Sequence, residues 1–263
     1  MVNAFLKISG MPHITEAEVD PVNNTVILNG ASYRANEILL EAPISGTIYG
    51  VLLNYEGEYE KYREKMEHPP YKEPPKAPIL YIKPANTLNI CGGSIPLPQD
   101  ASHLQMGAAL GVVFGKMATK VNVENALDYV VGYTIVNDVT IPHESIYRPA
   151  IKERARDGFS PIGPWVIDKK AIDNPNTLNI QVEVNGNLVQ SNHTGNLIRP
   201  VEQLIADITD FMTFYPGDVL LVGVPENAPI VTAGDKVRIE IEGIGSLENS
   251  VVHENEWMRG ALR

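Results

Sequence analysis

The residues best equipped for chemistry lie together between Gly132 and Trp165, in the run GYTIVNDVTIPHESIYRPAIKERARDGFSPIGPW. Val130, Val131, Tyr133, Ile135 and Val136 form the apolar pattern of a buried strand, closed by the turn-prone pair Asn137-Asp138. The spacing therefore places a carboxylate, Asp138, where a buried strand ends. Glu144, Tyr147, Arg148, Lys152, Arg154, Arg156 and Asp157 follow closely. DGFSPIGPW then supplies small and turn-forming residues that let backbone amides approach a ligand. Charges crowded beside an apolar strand end need partners or a substrate. A structural salt-bridge network and an anion-binding, proton-moving pocket both meet that need.

A second candidate, Lys83, stands in Tyr81–Thr87, YIKPANT, after an apolar strand and before a proline. There a lysine can hold an anionic oxygen, or trade protons if desolvation lowers its pKa. The plainer alternative is a strand-end lysine pointing to water. Glu58 also has two readings. It can be a base raised by burial, or an exposed helix residue paired with Lys61 three positions on.

The elements that must position these groups follow from periodicity and turn chemistry. Residues 1–45 read as a small N-terminal β appendage, with a hairpin pattern in VDPVNNTVILNGASYRA. Residues 46–263 form the main domain, entered by a buried strand over Gly46–Asn54. Tyr55–His68 is a charged helix ended by HPPYKEPPKAP. Leu110–Phe114, Leu178–Val184, Gly217–Val224 and Lys236–Glu242 read as strands. Val123–Val130 is a short helix capped by Asn122. Val201–Phe214 is an amphipathic helix presenting Leu204, Ile205, Ile208, Phe211 and Met212 on one face. This count predicts a strand-rich α+β fold.

Composition narrows the function. The chain has 263 residues, a formal net charge of −11 and a single cysteine, Cys91. The negative charge argues against nucleic acid and anionic membranes as partners. One cysteine precludes an internal disulfide and suits a reducing compartment. No apolar run approaches the roughly 20 residues of a membrane span, and MVNAFLKISGMPHITEAEVD is too polar for a secretory signal. The expected location is cytoplasmic. Arg148, Lys152, Arg154, Arg156 and Lys83 could form a local positive pocket for an anionic substrate.

Four ordered stretches carry a family resemblance: YIKPANT, GYTIVNDVT with ERARDGFSPIG, MTFYPGDVLLVGVP, and GDKVRIEIEGIGSLENSVV. They resemble the fumarylacetoacetate hydrolase family over about residues 46–255. The resemblance implies a mixed β-sandwich roll of the family's C-terminal-domain type, with the site at one end. Within the family, NYEGEYEKYREKM and IPHESIYRPAIKERARDGF resemble the first half of the isomerase/decarboxylase branch of aromatic meta-cleavage catabolism. That branch implies isomerisation of 2-hydroxyhepta-2,4-diene-1,7-dioate and decarboxylation of 5-oxopent-3-ene-1,2,5-tricarboxylate, in 4-hydroxyphenylacetate degradation. It further implies a homodimer, or a hetero-oligomer with a homologous subunit.

The resemblance also assigns roles, and the sequence departs from several. Lys83 would stabilise an enolate, and Asp138 or Glu144 would move a proton. Arg148, Arg154, Lys152 and Tyr147 would bind substrate carboxylates. The family's metal-binding Glu-x-Glu falls on Gly107 and Ala109, so Asp138 is the only surviving ligand-type residue. No tightly bound metal is expected, and a weak Mg²⁺ or Mn²⁺ completed by substrate oxygens stays open. The hydrolytic His and Glu fall on Glu58 and Lys61, the second lysine on Arg154, and the TGTP threonine on Val224. Two rival functions follow: a non-catalytic subunit supporting a metal-binding homologue, and an acylpyruvate hydrolase or oxaloacetate decarboxylase.

Overall fold

Three central strands, Ala108–Phe114, Val130–Asn137 and Ser160–Asp168, are apolar and buried over nearly their whole length. Strands covered on both faces read as continuous apolar runs, which is why no alternation marks them. The computed structural model describes residues 1–148 and 150–261, and these three strands form the middle of its twelve-stranded mixed sheet. Outward on one side lie Val219–Leu221, Ile48–Leu52 and the edge strand Ile79–Lys83. A five-stranded sheet, ordered Asn187–His193, Asn179–Val184, Lys236–Ile241, Gly245–His253 and Ser94–Leu97, packs on it. Leu110, Tyr133, Trp165 and Ile167 from the large sheet share one core with Ile180, Ile239 and Leu247 from the small one. Trp165 Nε1 donates to the Ile244 carbonyl at 2.8 Å, satisfying the indole in that core. The fold is the strand-rich α+β architecture expected from the sequence. Among the described residues no helix is long and apolar enough to cross a membrane.

The first 45 residues, the β appendage expected from the sequence, join the large sheet. Val2–Ile8 pairs antiparallel with Ser160–Asp168, matching Ala4 to Ile167 and Phe5 to Val166. Thr15–Asp20, Thr25–Leu28 and Ala31–Arg34 then extend the large sheet as a meander. Ala4, Leu6, Val19 and Val26 are buried in the main core.

Two helical expectations also change. The segment after Pro200 is α-helical only over Val201–Thr209. The Thr209 carbonyl accepts from Lys120 N at 2.7 Å, so a loop takes the bond that would continue the helix. Phe214 then leaves the helix path to stack on Phe114, ring centroids 4.2 Å apart. Phe211, expected on the apolar face, is exposed. Val123–Tyr129 is a 3₁₀ helix, and Asn122 makes no side-chain cap bond. The strand expected over Gly217–Val224 is confined to Val219–Leu221, because the preceding PGD turn is a clamp. Asp218 there accepts from Thr47 N at 2.7 Å and Tyr215 N at 2.8 Å.

The buried N-terminal meander has an energetic consequence. Leu6 is fully buried, so Leu6→Ala should cost about 2–5 kcal/mol in urea unfolding. A cost under about 1 kcal/mol would show that the first strand adds nothing to the core.

Candidate functional site

Asp138 follows the last residue of its strand, and its amide donates to the Gly107 carbonyl at 2.8 Å. Its side chain is 1% exposed, so its charge has to be met by protein. Three groups meet it, two of them by hydrogen bonds. Lys83 Nζ lies 3.0 Å from Oδ1, Arg154 donates to Oδ2 at 2.8 Å, and the Tyr81 hydroxyl donates to Oδ2 at 2.6 Å. Lys83 and Tyr81 are two apart on one strand, so both project from the same face. Gly50 on the neighbouring strand pairs with Tyr81, and a Cβ there would overlap the Tyr81 ring. Its missing side chain lets Tyr81 lie across the strand toward Asp138.

Arg154 reaches the same carboxylate because two turns grip each other, not because of sequence proximity. Asn86, in the PANT turn, donates to the Ala155 carbonyl at 3.1 Å and to Asp157 Oδ1 at 2.7 Å. Gly158 N donates back to the Asn86 carbonyl at 3.1 Å. That clamp fixes the short helix Ile151–Arg154 over the end of the Lys83 strand. The guanidinium carbon lies 4.8 Å from the Tyr81 ring centroid, a cation–π contact.

The two cations differ in what they can reach. Lys83 is completely enclosed, and its ammonium donates to the carbonyls of Val139 at 3.0 Å and Arg154 at 2.8 Å. Its approach to Asp138 Oδ1 is an ion-pair contact without hydrogen-bond geometry, since that oxygen has no hydrogen-bond partner. The Arg154 side chain is 18% exposed and lines a pocket in front of the carboxylate. Among the described residues only one of its guanidinium nitrogens makes a protein hydrogen bond.

The pocket has Tyr81, Asp138 and Arg154 on its floor. Glu58 and Tyr62 of the helix Glu56–Met66 form one wall, and His143, Ser145 and Ile146 another. Gly107 and Val224 close it between them. The helix is aimed by Leu53, whose φ of 58° reverses the chain, and by buried Asn54. Asn54 donates to the carbonyls of Val222 at 2.8 Å and Arg199 at 3.1 Å and accepts from Arg199 N at 3.0 Å.

Protonation in the pocket follows from this packing. Burial alone would raise Asp138, but Lys83 and then Arg154 outweigh it and hold the carboxyl below its ordinary value. Burial draws Lys83 below a free lysine, against the pull of Asp138. Burial works to lower Arg154, and the Asp138 charge more than restores it. Burial and the Asp138 charge push Tyr81 far up, so it stays a hydroxyl donor. Glu58 is raised by burial, with Lys61 opposing and Glu226 adding to the rise. His143 is lowered by burial and by the Arg154 charge.

The structure thus brings together Lys83, Asp138 and Arg154, and leaves four expected site residues outside. Glu144 and Arg148 are exposed in the loop after Asp138. Arg148 faces the Tyr71 ring, 5.8 Å from guanidinium carbon to centroid, and the Tyr147 hydroxyl donates to the Glu73 carbonyl at 3.0 Å. Lys152, 73% exposed, pairs with Asp100 at 3.2 Å. Ile146 is the loop's buried residue and lines the pocket with Ser145, while Glu144 and Tyr147 are not among the lining residues. Glu58 corrects the surface reading: it keeps a 3.8 Å pair with Lys61 but also lines the pocket. Tyr81 and His143 were not singled out by sequence reasoning. The i, i+2 relation of Tyr81 to Lys83 was the available signal for the first.

This fold and these motifs place the chain among known proteins. The family model described as Fumarylacetoacetate (FAA) hydrolase C-terminal matches residues 47–252, and the chain belongs to that enzyme family. The Escherichia coli 4-hydroxyphenylacetate degradation bifunctional isomerase/decarboxylase is 43% identical over 213 residues, 81% of this chain and 48% of that protein. The chain thus spans about half the length of that relative. The mitochondrial oxaloacetate tautomerase fahd2 of Xenopus laevis is 34% identical over 188 residues, 68% of this chain and 59% of that protein. The crystal structure of 2-hydroxyhepta-2,4-diene-1,7-dioate isomerase from Mycobacterium marinum superposes with a TM-score of 0.75 at 27% identity, covering 97% of this chain and 99% of the other.

The residues present do not fit the divalent cation that the family resemblance implies. A Cβ on Gly107 would lie 2.6 Å from the Asp138 carbonyl oxygen, so that position is closed to a side-chain ligand. Ala109 is packed in an apolar cluster with Ile48, Val136 and Val219. Both Asp138 oxygens already face cationic nitrogens. Among the described residues no group of three or more His, Cys, Asp or Glu could hold a metal.

The charge arrangement sets the acid stability. An unfolded aspartate titrates near about 3.9, and the folded value of Asp138 lies lower. Its contribution is therefore complete above about pH 4 and is lost as pH falls through the folded value. Asp138→Asn, which strands two buried cations, should cost about 3–5 kcal/mol at neutral pH. It should also flatten the fall of the urea midpoint below about pH 4. Equal acid slopes in wild type and variant would refute a stabilising Asp138 charge.

Proposed function

We propose that this protein is an isomerase of small 2-hydroxy and 2-oxo dienedioates, with 2-hydroxyhepta-2,4-diene-1,7-dioate as substrate. The observation that carries the reading is Glu58, a carboxyl held toward its protonated form on the wall of a pocket floored by Arg154. Asp138, held by two hydrogen bonds and the Lys83 ion pair and kept ionised, is no proton carrier. Arg154 keeps two of its nitrogens for a substrate carboxylate, a charge-assisted contact of about 1.5–3 kcal/mol. Lys83 supports from below by fixing Asp138, without touching substrate.

In the reaction the dienol hydroxyl loses its proton, its electrons close the carbonyl, and a carbon of the conjugated chain gains a proton. Glu58 is the group that moves that proton, because a carboxyl raised toward the working pH both gives and accepts efficiently. Tyr81, a fixed hydroxyl, and Arg154 stabilise the dienolate oxygen and its neighbouring carboxylate. Decarboxylation of 5-oxopent-3-ene-1,2,5-tricarboxylate would use the same pocket, since loss of CO₂ leaves its electron pair in the same kind of dienolate. The relatives' names and the matching architecture support this substrate class. The half-length match supports a homologous second half as partner, as a separate subunit or a second copy in a dimer. The setting would be aromatic catabolism in the cytoplasm.

Loss of the conjugated dienol absorbance reports turnover. Glu58→Gln should lower kcat by about 10²–10⁴-fold with little change in KM. The ionisation controlling wild-type activity should lie above the ordinary glutamate range and vanish in that variant. Arg154→Lys, which keeps the charge but loses the planar fork, should chiefly raise KM. A Glu58→Gln enzyme within about tenfold of wild type would sink the assignment.

A further inference from the structure

A second buried polar cluster lies behind the Glu58 wall. The Tyr55 hydroxyl, Gln190 Oε1 and Glu226 Oε2 are all buried without a hydrogen-bond partner among the described residues. Such groups are costly to bury. The cluster is built around Glu226. Gln190 Nε2 donates to its carbonyl at 2.6 Å and to that of Pro225 at 3.3 Å. Asn192 Nδ2 donates to Glu226 Oε1 at 3.0 Å. Asn192 cannot turn away, because its own oxygen accepts from His193 N at 2.8 Å and Asn196 Nδ2 at 3.1 Å.

The Glu226 carboxyl occupies a notch in the first turn of the helix Glu56–Met66. A Cβ on Gly57 would overlap that carboxyl, so the helix needs glycine at this position to admit it. Glu58, the next residue, lines the substrate pocket, and so does Pro225, the residue before Glu226. The charged groups acting on Glu58 are Lys61 from its own helix, Arg154 across the pocket and Glu226 behind it. The two cations favour ionised Glu58, and Glu226 opposes them.

Resting on the proton-transfer reading of Glu58, we propose that Glu226 is its positioning residue. Seated in the Gly57 notch, its carboxylate puts a negative charge behind Glu58, adding to the effect of burial and favouring the protonated form in which Glu58 meets substrate. Asn192 and Gln190 hold that residue in place. Two neighbouring carboxylates cannot both ionise as freely as one.

The test follows the Glu58 carboxyl directly, by NMR titration of ¹³C-labelled protein, in wild type, Glu226→Gln and Glu226→Asp. Glu226→Gln keeps the shape and removes the charge, so Glu58 should titrate lower by about half a pH unit or more. Glu226→Asp withdraws the charge by one methylene and should give a smaller shift of the same sign. It also serves if the glutamine variant fails to fold. The controlling ionisation in the kcat profile should move with the NMR value. A Glu58 titration unchanged in both variants, even with a lower melting temperature, would overturn the proposal and leave Glu226 a helix-end counter-charge. Because the NMR readout needs no turnover, inactivity toward the dienedioate would refute the substrate reading without touching this one.

Discussion

The site depends on one buried carboxylate. Asp138 ends a strand with no water to solvate it, and everything around it is arranged to supply positive charge and hydrogen bonds. Lys83 and Tyr81 come from one edge strand and Arg154 from the clamped turn. Remove the carboxylate and two cations are stranded. Remove either cation and a buried anion loses half its compensation. The triad therefore fixes the position of the pocket floor and also its charge: one carboxylate against two cations leaves a net positive end. The negative overall charge of the chain is compatible with that local field, which acts within a Debye length.

The fixed cations also change what this site can be within its family. Where a hard divalent ion would need several carboxylate oxygens, the positions hold Gly107 and Ala109, and the remaining aspartate is already neutralised from within. A guanidinium does part of what such an ion does, orienting a carboxylate and spreading negative charge, without a site to fill. In the proposed reaction proton movement falls to Glu58, whose helix is held by the Asn54 bonds before it and by the Glu226 notch at its first turn.

Much of this was legible in the sequence where the signal was local. The strand ending at Asn137 and the positions of Asp138, Lys83 and Arg154 follow from apolar runs closed by turns and from motif positions, while the pairing of both cations with Asp138 was not foreseen. What could not be read was set by long-range contacts. Glu58 looks like a solvated helix residue until the loop after Asp138 folds over it. Arg148 and Lys152 carry the same charge as Arg154 and sit within a few residues of it, yet only Arg154 faces inward, because the Asn86 clamp sets the helix rotation. The N-terminal meander reads as separate from its turn pattern, but pairing with Ser160–Asp168 lies more than 150 residues away. Phe211 matched the helical period and failed because Phe214 pulled the chain onto Phe114 instead.

The central claim is that fixed side-chain charges, without a resident divalent ion, carry the chemistry of this pocket. The most direct measurement is kcat/KM on 2-hydroxyhepta-2,4-diene-1,7-dioate for protein dialysed exhaustively against EDTA, compared with the same protein supplied with Mg²⁺ or Mn²⁺. The account predicts the same rate in both. Turnover that vanishes with EDTA and returns stoichiometrically with the ion would contradict it.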